Sequence, residues 1–347
     1  MIDGYSDLVE IGRGGSSTVY SARQDGLERM VAIKVLHVDL GDARTRRRFE
    51  RECAAVGALG DPPNIVAVYS TAFTRDGRGC IVMRLMRESL GAVLRRTGPL
   101  SIDQVHQVGV AAAAALQHAH ARHVVHRDVK PANLLISAYD EIALGDFDIA
   151  AVGAGAASTR THDSMSPPHA PPERLNGTTD AGPAGDIWSL GSTLFTLLEG
   201  RPPFGTADDE GGMAGLIGRA LNDPVPAFGR SDVPPALRSA IVRSLEKDPA
   251  DRWASAAEFA TAVGASVAAS TTAGACPGSV WGGGDGSPSP TGENDDEPAG
   301  WTEPTLPPPG MPGDHHSDGR RRELVSSAFV IASAIGAVVL TTVAVLR

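Results

Sequence analysis

The sequence has few cysteines, no excess of positive charge and no N-terminal signal peptide. Its three cysteines, Cys53, Cys80 and Cys276, form neither a CxxC pair nor a disulfide framework, which fits a reducing cytoplasm. The formal net charge of −10 offers no basic surface for a phosphate backbone, so nucleic acid is excluded as an expected partner. Residues 1–10 lack a basic start and an apolar run, so we expect the N-terminus to stay inside the cell.

Three zones of different composition follow one another along the 347 residues. Residues 5–267 alternate apolar patterns with Gly and Pro, which predicts a globular region that is β-rich at first and mainly helical after residue 100. Residues 268–323 are rich in Gly, Pro, Ser and acidic residues and bury too little apolar surface to fold, so we expect a disordered linker. The clearest predicted elements are strands at Leu8–Gly12, Ser17–Arg23 and Met30–Leu36 and a helix at Ile102–Ala121.

The third zone, residues 324–346, contains no charged residue. As a helix it would be about 34 Å long, which is enough to cross a bilayer. Arg320–Arg322 precede it, and the positive-inside bias then puts the linker and the globular region in the cytoplasm. We therefore expect a single-pass protein of the cell membrane; the alternative is a buried C-terminal helix. Ala328, Ala332 and Gly336, four residues apart, could let two such helices pair as a homodimer.

Two segments near the N-terminus could bind phosphate. The first, Gly12–Val19, has glycines that allow close approach of a phosphate, although such a segment is by itself more often a hairpin turn. The second, Val31–Lys34, ends in a lysine placed to meet phosphates; the alternative is a strand edge with its ammonium in water. A following helical segment supplies Glu52, which could pair with Lys34 or could be a solvated charge.

The strongest chemical pattern lies in the middle of the chain. His126–Leu135 reads HRDVKPANLL, and Asp146-Phe147-Asp148 begins thirteen residues beyond Asn133. Phosphoryl transfer requires anions that hold magnesium, a carboxylate that aligns the attacking hydroxyl, and cations near the developing charge. All three kinds of group are present here.

Taken together, these motifs resemble the signature set of the protein kinases, in particular the bacterial, eukaryotic-like (Hanks-type) serine/threonine kinases. The resemblance covers residues 5–267. It implies that Asp128 is the catalytic base, that Asn133 and Asp146 bind magnesium, and that Lys130 contacts the transferred phosphate. It also implies an activating ion pair between Lys34 and Glu52 beside these groups.

The same resemblance assigns further residues to the site. Met83 would be the gatekeeper before a hinge at residues 84–86, which separates a small lobe (5–83) from a large lobe (87–267). Glu173 ends the activation segment and would pair with Arg252, while Asp186 would support the catalytic loop. The ATP-binding residues implied are Ile11, Gly12, Arg13, Gly14, Gly15, Ser16, Ser17, Val19, Ala32, Lys34, Met83, Leu85, Met86 and Leu135.

The sequence departs from the family pattern at two positions. Asp148 stands where the family has the glycine of its DFG motif, and a residue with a Cβ resists the backbone flips that glycine allows. We expect an active enzyme with a less freely switching magnesium loop; a pseudokinase is the alternative. Ser17 replaces the third glycine of the phosphate loop but is small enough to leave room for a nucleotide.

Arg127 precedes the predicted base, and in the family such an arginine binds a phosphorylated residue of the activation segment. The candidate phosphorylation sites are Ser158, Thr159, Thr161 and Ser164; Ser166 occupies the position of a threonine that lines the substrate pocket. The alternative is a flexible polar loop without such regulation.

These observations predict an α+β fold, the two-lobed protein-kinase fold, followed by the disordered linker and one transmembrane helix. The predicted reaction transfers the γ-phosphoryl group of ATP, with Mg²⁺ or in its place Mn²⁺, to serine or threonine of protein substrates, including the chain itself. Three other functions stay open: a small-molecule phosphotransferase, a pseudokinase scaffold and a membrane-tethered adaptor.

Overall fold

The computed structural model describes residues 2–40, 43–147, 167–177 and 181–268, together with Trp281. The chain divides into two units, Met1–Asp285 and Gly286–Arg347, and all described residues belong to the first. Of the predictions above, Asp148, the candidate phosphorylation sites, Ser166 and the span 324–346 lie outside the described residues. No helix in the described part is both long and apolar enough to cross a membrane.

The first lobe is an antiparallel sheet of five strands with one helix. The strand order is β1-β2-β3-β5-β4, and helix α1 packs against β4 and β5. The three strands predicted from the sequence are present and extend beyond their predicted ends, because cross-strand pairing continues into the flanking polar residues. The bounds are β1 Tyr5–Arg13, β2 Ser17–Gln24, β3 Arg29–Asp39, α1 Ala43–Gly57, β4 Val68–Phe73 and β5 Arg78–Arg84.

The chain leaves this sheet at Arg84 and enters a second, three-stranded antiparallel sheet at Glu88, so the connection coincides with the predicted hinge. The second sheet consists of β6 Glu88–Ser89, β7 Leu134–Ile136 and β8 Ile142–Leu144. It carries Asn133 immediately before β7 and Asp146 two residues after β8. The sheet therefore brings the two predicted magnesium ligands together.

The second lobe is mainly helical, as predicted. Ser101 is the N-cap of helix α3. Its hydroxyl accepts a hydrogen bond from the backbone N–H of Gln104, and the Gln104 side chain accepts one from the backbone N–H of Ser101. This capping box fixes the start of the helix. The helices are α2 Leu90–Thr97, α3 Ile102–His120, α4 Pro172–Leu175, α5 Gly182–Glu199, α6 Gly212–Asn222, α7 Pro235–Ser244 and α8 Ala256–Ala268, and short 3-10 helices span Pro131–Asn133, Pro167–His169 and Pro249–Asp251.

The main hydrophobic core lies in the second lobe around α3 and α5. Helix α5 is apolar nearly all round and is buried from Gly185 to Leu198, so it supports the elements packed on it from every side. Trp281 falls in the predicted linker but is 7% exposed and belongs to this core.

Candidate active site

The catalytic loop after α3 is held from below by Asp186, a buried carboxylate of α5. Its two oxygens accept hydrogen bonds from the backbone N–H of His126 at 2.8 Å and of Arg127 at 2.7 Å. His120 Nε2 lies 2.8 Å from the same carboxylate. Arg127 has a φ of 67°, a left-handed conformation that is uncommon outside glycine. The two hydrogen bonds that Asp186 accepts thus stabilise this left-handed conformation of the loop.

Asp128 is surrounded by the groups predicted from the sequence. Lys130 Nζ lies 2.7 Å from Asp128 Oδ2, and Asn133 Nδ2 donates to the same oxygen at 3.0 Å and to the Asp128 carbonyl at 2.7 Å. The backbone N–H of Asp128 donates to His126 Nδ1 at 3.2 Å, and His126 Nε2 in turn donates to the Gly145 carbonyl at 2.8 Å. The carboxylate that the motif predicts as the base therefore has a fixed orientation next to one cation.

Asp146 reaches this cluster because the sheet joins its strand to that of Asn133. The backbone N–H of Gly145 donates to the Asn133 carbonyl at 2.9 Å, and Asp146 follows with a φ of 62°. Its carboxylate contacts the ammonium of Lys34. Burial opposes ionisation of Asp146, but the charge and hydrogen bond of Lys34, together with the charges of His126 and Lys130, outweigh burial and lower the pKa of this carboxyl group below its ordinary value.

The predicted partner of Lys34 is wrong in this structure. Among the ion pairs of the described residues, Lys34 is joined to Asp146 and not to Glu52. The reason is geometric. Pairing of β3 with β2 and β5 sets Lys34 opposite Val19 and Ile81. The largely buried side chain of Lys34 there contacts the carboxylate of Asp146. Glu52 lies on α1 with a half-buried side chain.

Asn133 and Asp146 suit a magnesium ion that is also held by phosphates. Both side-chain hydrogen bonds of Asn133 use Nδ2, which leaves its Oδ1 available as an oxygen ligand. Mg²⁺ usually takes one or two protein carboxylates together with substrate phosphates and water. No cluster of three or more His, Cys, Asp or Glu side chains suited to a metal occurs in the described ranges, so no all-protein cage competes there.

Several of the predicted nucleotide-binding residues lie in the two sheets. Ala32 of β3 pairs with Met83 of β5, and Leu135 lies on the opposite side, in β7. The turn between β1 and β2 is closed by a hydrogen bond from the Gly14 N–H to the Ser17 carbonyl at 2.8 Å. A Cβ added at Gly12 would meet no atom within 4 Å, so the space beside this glycine is open.

The predicted pair of Glu173 and Arg252 is present and buried. Arg252 donates to both carboxylate oxygens at 2.9 and 2.8 Å, a bidentate arrangement. It also donates to the carbonyls of Ala184, Glu246 and Lys247. The pair therefore ties the end of the activation segment to the segment that precedes α8.

Sequence analysis missed two histidines near the site. His37 of β3 contacts the phosphate loop, and His169 lies in the short helix before Glu173. His169 Nδ1 is 3.0 Å from Ser192 Oγ, and burial lowers the pKa of this imidazole to about 4, although the charge of Asp128 opposes the shift and that of Lys130 adds to it. The only sequence signal for either residue is an imidazole beside a motif, which is too weak to single it out.

Comparison with known proteins adds the following similarities. Residues 5–262 match the family model described as "Protein kinase domain". The chain is 39% identical over 256 residues to serine/threonine-protein kinase PknK of Mycobacterium bovis, covering 74% of this chain and 23% of PknK. It is 35% identical over 268 residues to serine/threonine-protein kinase PknB of Mycolicibacterium smegmatis, covering 73% of this chain and 42% of PknB. It thus spans less than half the length of these relatives.

Among solved structures, the kinase domain of PknI from Mycobacterium tuberculosis is similar to this chain. The superposition has a TM-score of 0.59 at 27% sequence identity. It covers 77% of this chain and 97% of the PknI domain. The two-lobed architecture described above is therefore shared over almost the whole of that domain.

Proposed function

The chain belongs to the protein kinase domain family, and we propose that it is a serine/threonine protein kinase. The observation that carries the proposal is the cluster of Asp128, Lys130 and Asn133 joined through the second sheet to Asp146 and Lys34. The relatives PknK and PknB carry the name serine/threonine-protein kinase, which supports the same reaction.

In this proposal each side chain has one task. Asp128 accepts or aligns the proton of the substrate hydroxyl, and its hydrogen bond from Asn133 keeps the carboxylate facing the attacking oxygen. Lys130 and Lys34 neutralise charge on the phosphates. Asn133 and Asp146 would hold magnesium, which supplies electrostatic stabilisation of the transferring phosphoryl group.

The substrate class is a protein rather than a small molecule. Lys130 lies against Asp128. Arg252 binds Glu173 at the end of the activation segment, and Asp186 supports the catalytic loop. In the family that the motifs resemble, this support shapes a surface for an extended protein segment, and the lysine marks serine or threonine rather than tyrosine.

A phosphotransfer assay tests the proposal directly. The full chain with ATP and Mg²⁺ should phosphorylate a generic basic protein on serine and threonine, and Lys34→Met and Asp128→Asn should each reduce the rate at least about 10³-fold. Equal rates in wild type and Asp128→Asn would contradict the proposal, and no transfer by wild type would favour the pseudokinase. Asp148→Gly probes the departure from the family motif, and a large gain in rate would show that Asp148 limits the activity.

Regulation by autophosphorylation is part of this proposal. Arg127 and the candidates Ser158, Thr159, Thr161 and Ser164 support it, because a phosphate adds nearly two negative charges that an arginine can bind. Mass spectrometry should find phosphate on this segment in wild type and not in Asp128→Asn. The same phosphate pattern in both would assign it to another kinase.

We also propose that residues 324–346 anchor the chain in a membrane with its kinase domain in the cytoplasm. The proposal is supported by 23 consecutive residues without charge after three arginines. The chain should remain in the membrane fraction after carbonate extraction, whereas Ile335→Arg, in the middle of the span, should release part of it.

If Gly336→Leu weakens cross-linking between copies, the span also mediates a homodimer; unchanged cross-linking would argue against it.

A further inference from the structure

The phosphate loop between β1 and β2 is held by one residue of the neighbouring strand, His37. Its backbone N–H donates to the Ser16 carbonyl at 2.9 Å, its Nδ1 lies 3.0 Å from the Gly15 carbonyl, and its Nε2 lies 2.9 Å from Thr18 Oγ1. Two consecutive carbonyls of the loop and a side chain near the start of β2 therefore meet the same residue.

The partners fix the tautomer of this imidazole. A carbonyl oxygen can only accept, so Nδ1 must carry the proton that bonds Gly15. In the neutral ring Nε2 is then an acceptor, and the hydroxyl of the buried Thr18 donates to it. The imidazole of His37 thus donates to one group of the loop segment and accepts from another. Both of its nitrogen atoms belong to one rigid ring, so the two bonds fix each other's direction.

This arrangement has a consequence for phosphate binding. In a planar trans peptide the C=O and N–H groups point in opposite directions. Because the carbonyls of Gly15 and Ser16 face His37, the N–H groups of the same peptides, which belong to Ser16 and Ser17, point away from it. Backbone N–H groups turned outward in a glycine-rich turn are the donors that phosphate oxygens bind.

We propose that His37 is a positioning residue of the nucleotide site: it orients the Gly15 and Ser16 peptides so that the loop presents its N–H groups to the phosphates of ATP. The proposal rests on the proposed kinase function. His37 touches neither nucleotide nor substrate in this account, so its loss weakens nucleotide binding and leaves the chemistry at Asp128 intact.

The test uses the full chain with five variants, the last of which is a control. His37→Phe removes both ring contacts, Thr18→Val removes the hydroxyl, and the third variant combines both changes. His37→Asn keeps a donor near the position of Nδ1 and loses the link to Thr18. His123→Asn makes the same chemical change at an exposed histidine, where a φ of 60° is one that asparagine tolerates.

Three measurements are made on each variant: hydrogen–deuterium exchange of residues 14–18 without nucleotide, equilibrium binding of a fluorescent ATP analogue with Mg²⁺, and KM for ATP with kcat. His37→Phe should exchange faster and should raise Kd and KM about three- to ten-fold, the equivalent of one or two hydrogen bonds, with kcat within about two-fold. His37→Asn should fall between it and wild type, and His123→Asn should match wild type. The double variant should be no weaker than His37→Phe, because both changes break the same link.

Unchanged exchange and unchanged nucleotide affinity in His37→Phe would overturn the proposal. If His37→Phe lowers both kcat and the melting temperature substantially, the proposal is also overturned, since His37 would then have a general structural role. If wild type binds the nucleotide but transfers no phosphate, the kinase function fails while binding and exchange still decide the role of His37. If wild type binds no nucleotide, both proposals are overturned.

Discussion

The catalytic loop, which holds the predicted base, and the phosphate loop, which is predicted to bind ATP, are stabilised in different ways. The catalytic loop is braced from beneath by the buried carboxylate of Asp186, and His126 within it is fully buried. The phosphate loop from Gly12 to Gly15 is exposed and depends on a short turn and on His37. A change in the conformation of the phosphate loop should therefore require less free energy than a change in the catalytic loop.

This difference separates fixed chemistry from adaptable binding. The groups that align the attacking hydroxyl gain from a rigid support, because small displacements reduce the rate strongly. The loop that covers phosphates has to admit and release a nucleotide, and elements that move belong to the less stable part of a fold. Substitutions that act on one loop should therefore leave the other loop nearly unchanged.

The largest effect is expected from the buried pair of Glu173 and Arg252 in the second lobe. Arg252→Met leaves the Glu173 carboxylate buried without its guanidinium, which should lower the free energy of unfolding by about 3–5 kcal/mol. Denaturant unfolding measures the loss. Adding Glu173→Leu to Arg252→Met should recover part of it, because no buried charge remains; no recovery would contradict this reading of the pair.

Asp186→Asn should have the next largest effect. One of the two carboxylate oxygens is replaced by an amide that faces a backbone N–H, so a buried donor loses its partner and the free energy of unfolding should fall by about 1–3 kcal/mol. The phosphorylation rate should fall while the Kd for ATP stays within about two-fold. A variant in which ATP binding fails as strongly as catalysis would break the distinction between the two loops.

The pH dependence of stability should reveal His169. Its pKa in the folded chain is about 4, below the ordinary value of about 6.5 in the unfolded chain, so the unfolded chain binds more protons between these values. Stability from this residue is complete above about pH 6.5 and is lost as the pH falls towards 4. Unfolding of wild type and His169→Asn between pH 4 and 7 should show a shallower slope for the variant; parallel slopes would contradict the assignment.

The smallest effect on folding is expected at the phosphate loop. Gly12→Ala adds a Cβ that meets nothing within 4 Å, so the free energy of unfolding should stay within about 0.5 kcal/mol. Gly191→Ala in α5 is the matched control: its Cβ would collide with the side chain of Ser244 and should cost about 1–3 kcal/mol. Similar losses in both variants would contradict the open space at Gly12.

The sequence was informative where chemistry restricts the residue type. Asp128, Lys130, Asn133 and Asp146 could be predicted because their motifs supply the kinds of group that phosphoryl transfer needs and resemble those of the protein kinases. The partner of Lys34 could not be predicted, since it depends on where α1 and the segment after β8 stand relative to β3. Burial of Trp281 likewise depends on packing against helices far away in the sequence, which composition does not encode.

The central claim is that the cluster around Asp128 transfers phosphate to serine or threonine. The most direct measurement is peptide mass spectrometry of the full chain after incubation with ATP and Mg²⁺, for wild type and for Asp128→Asn purified without prior phosphate. The account predicts new phosphoserine or phosphothreonine in wild type and none in Asp128→Asn. New phosphate in neither protein, or equally in both, would contradict it.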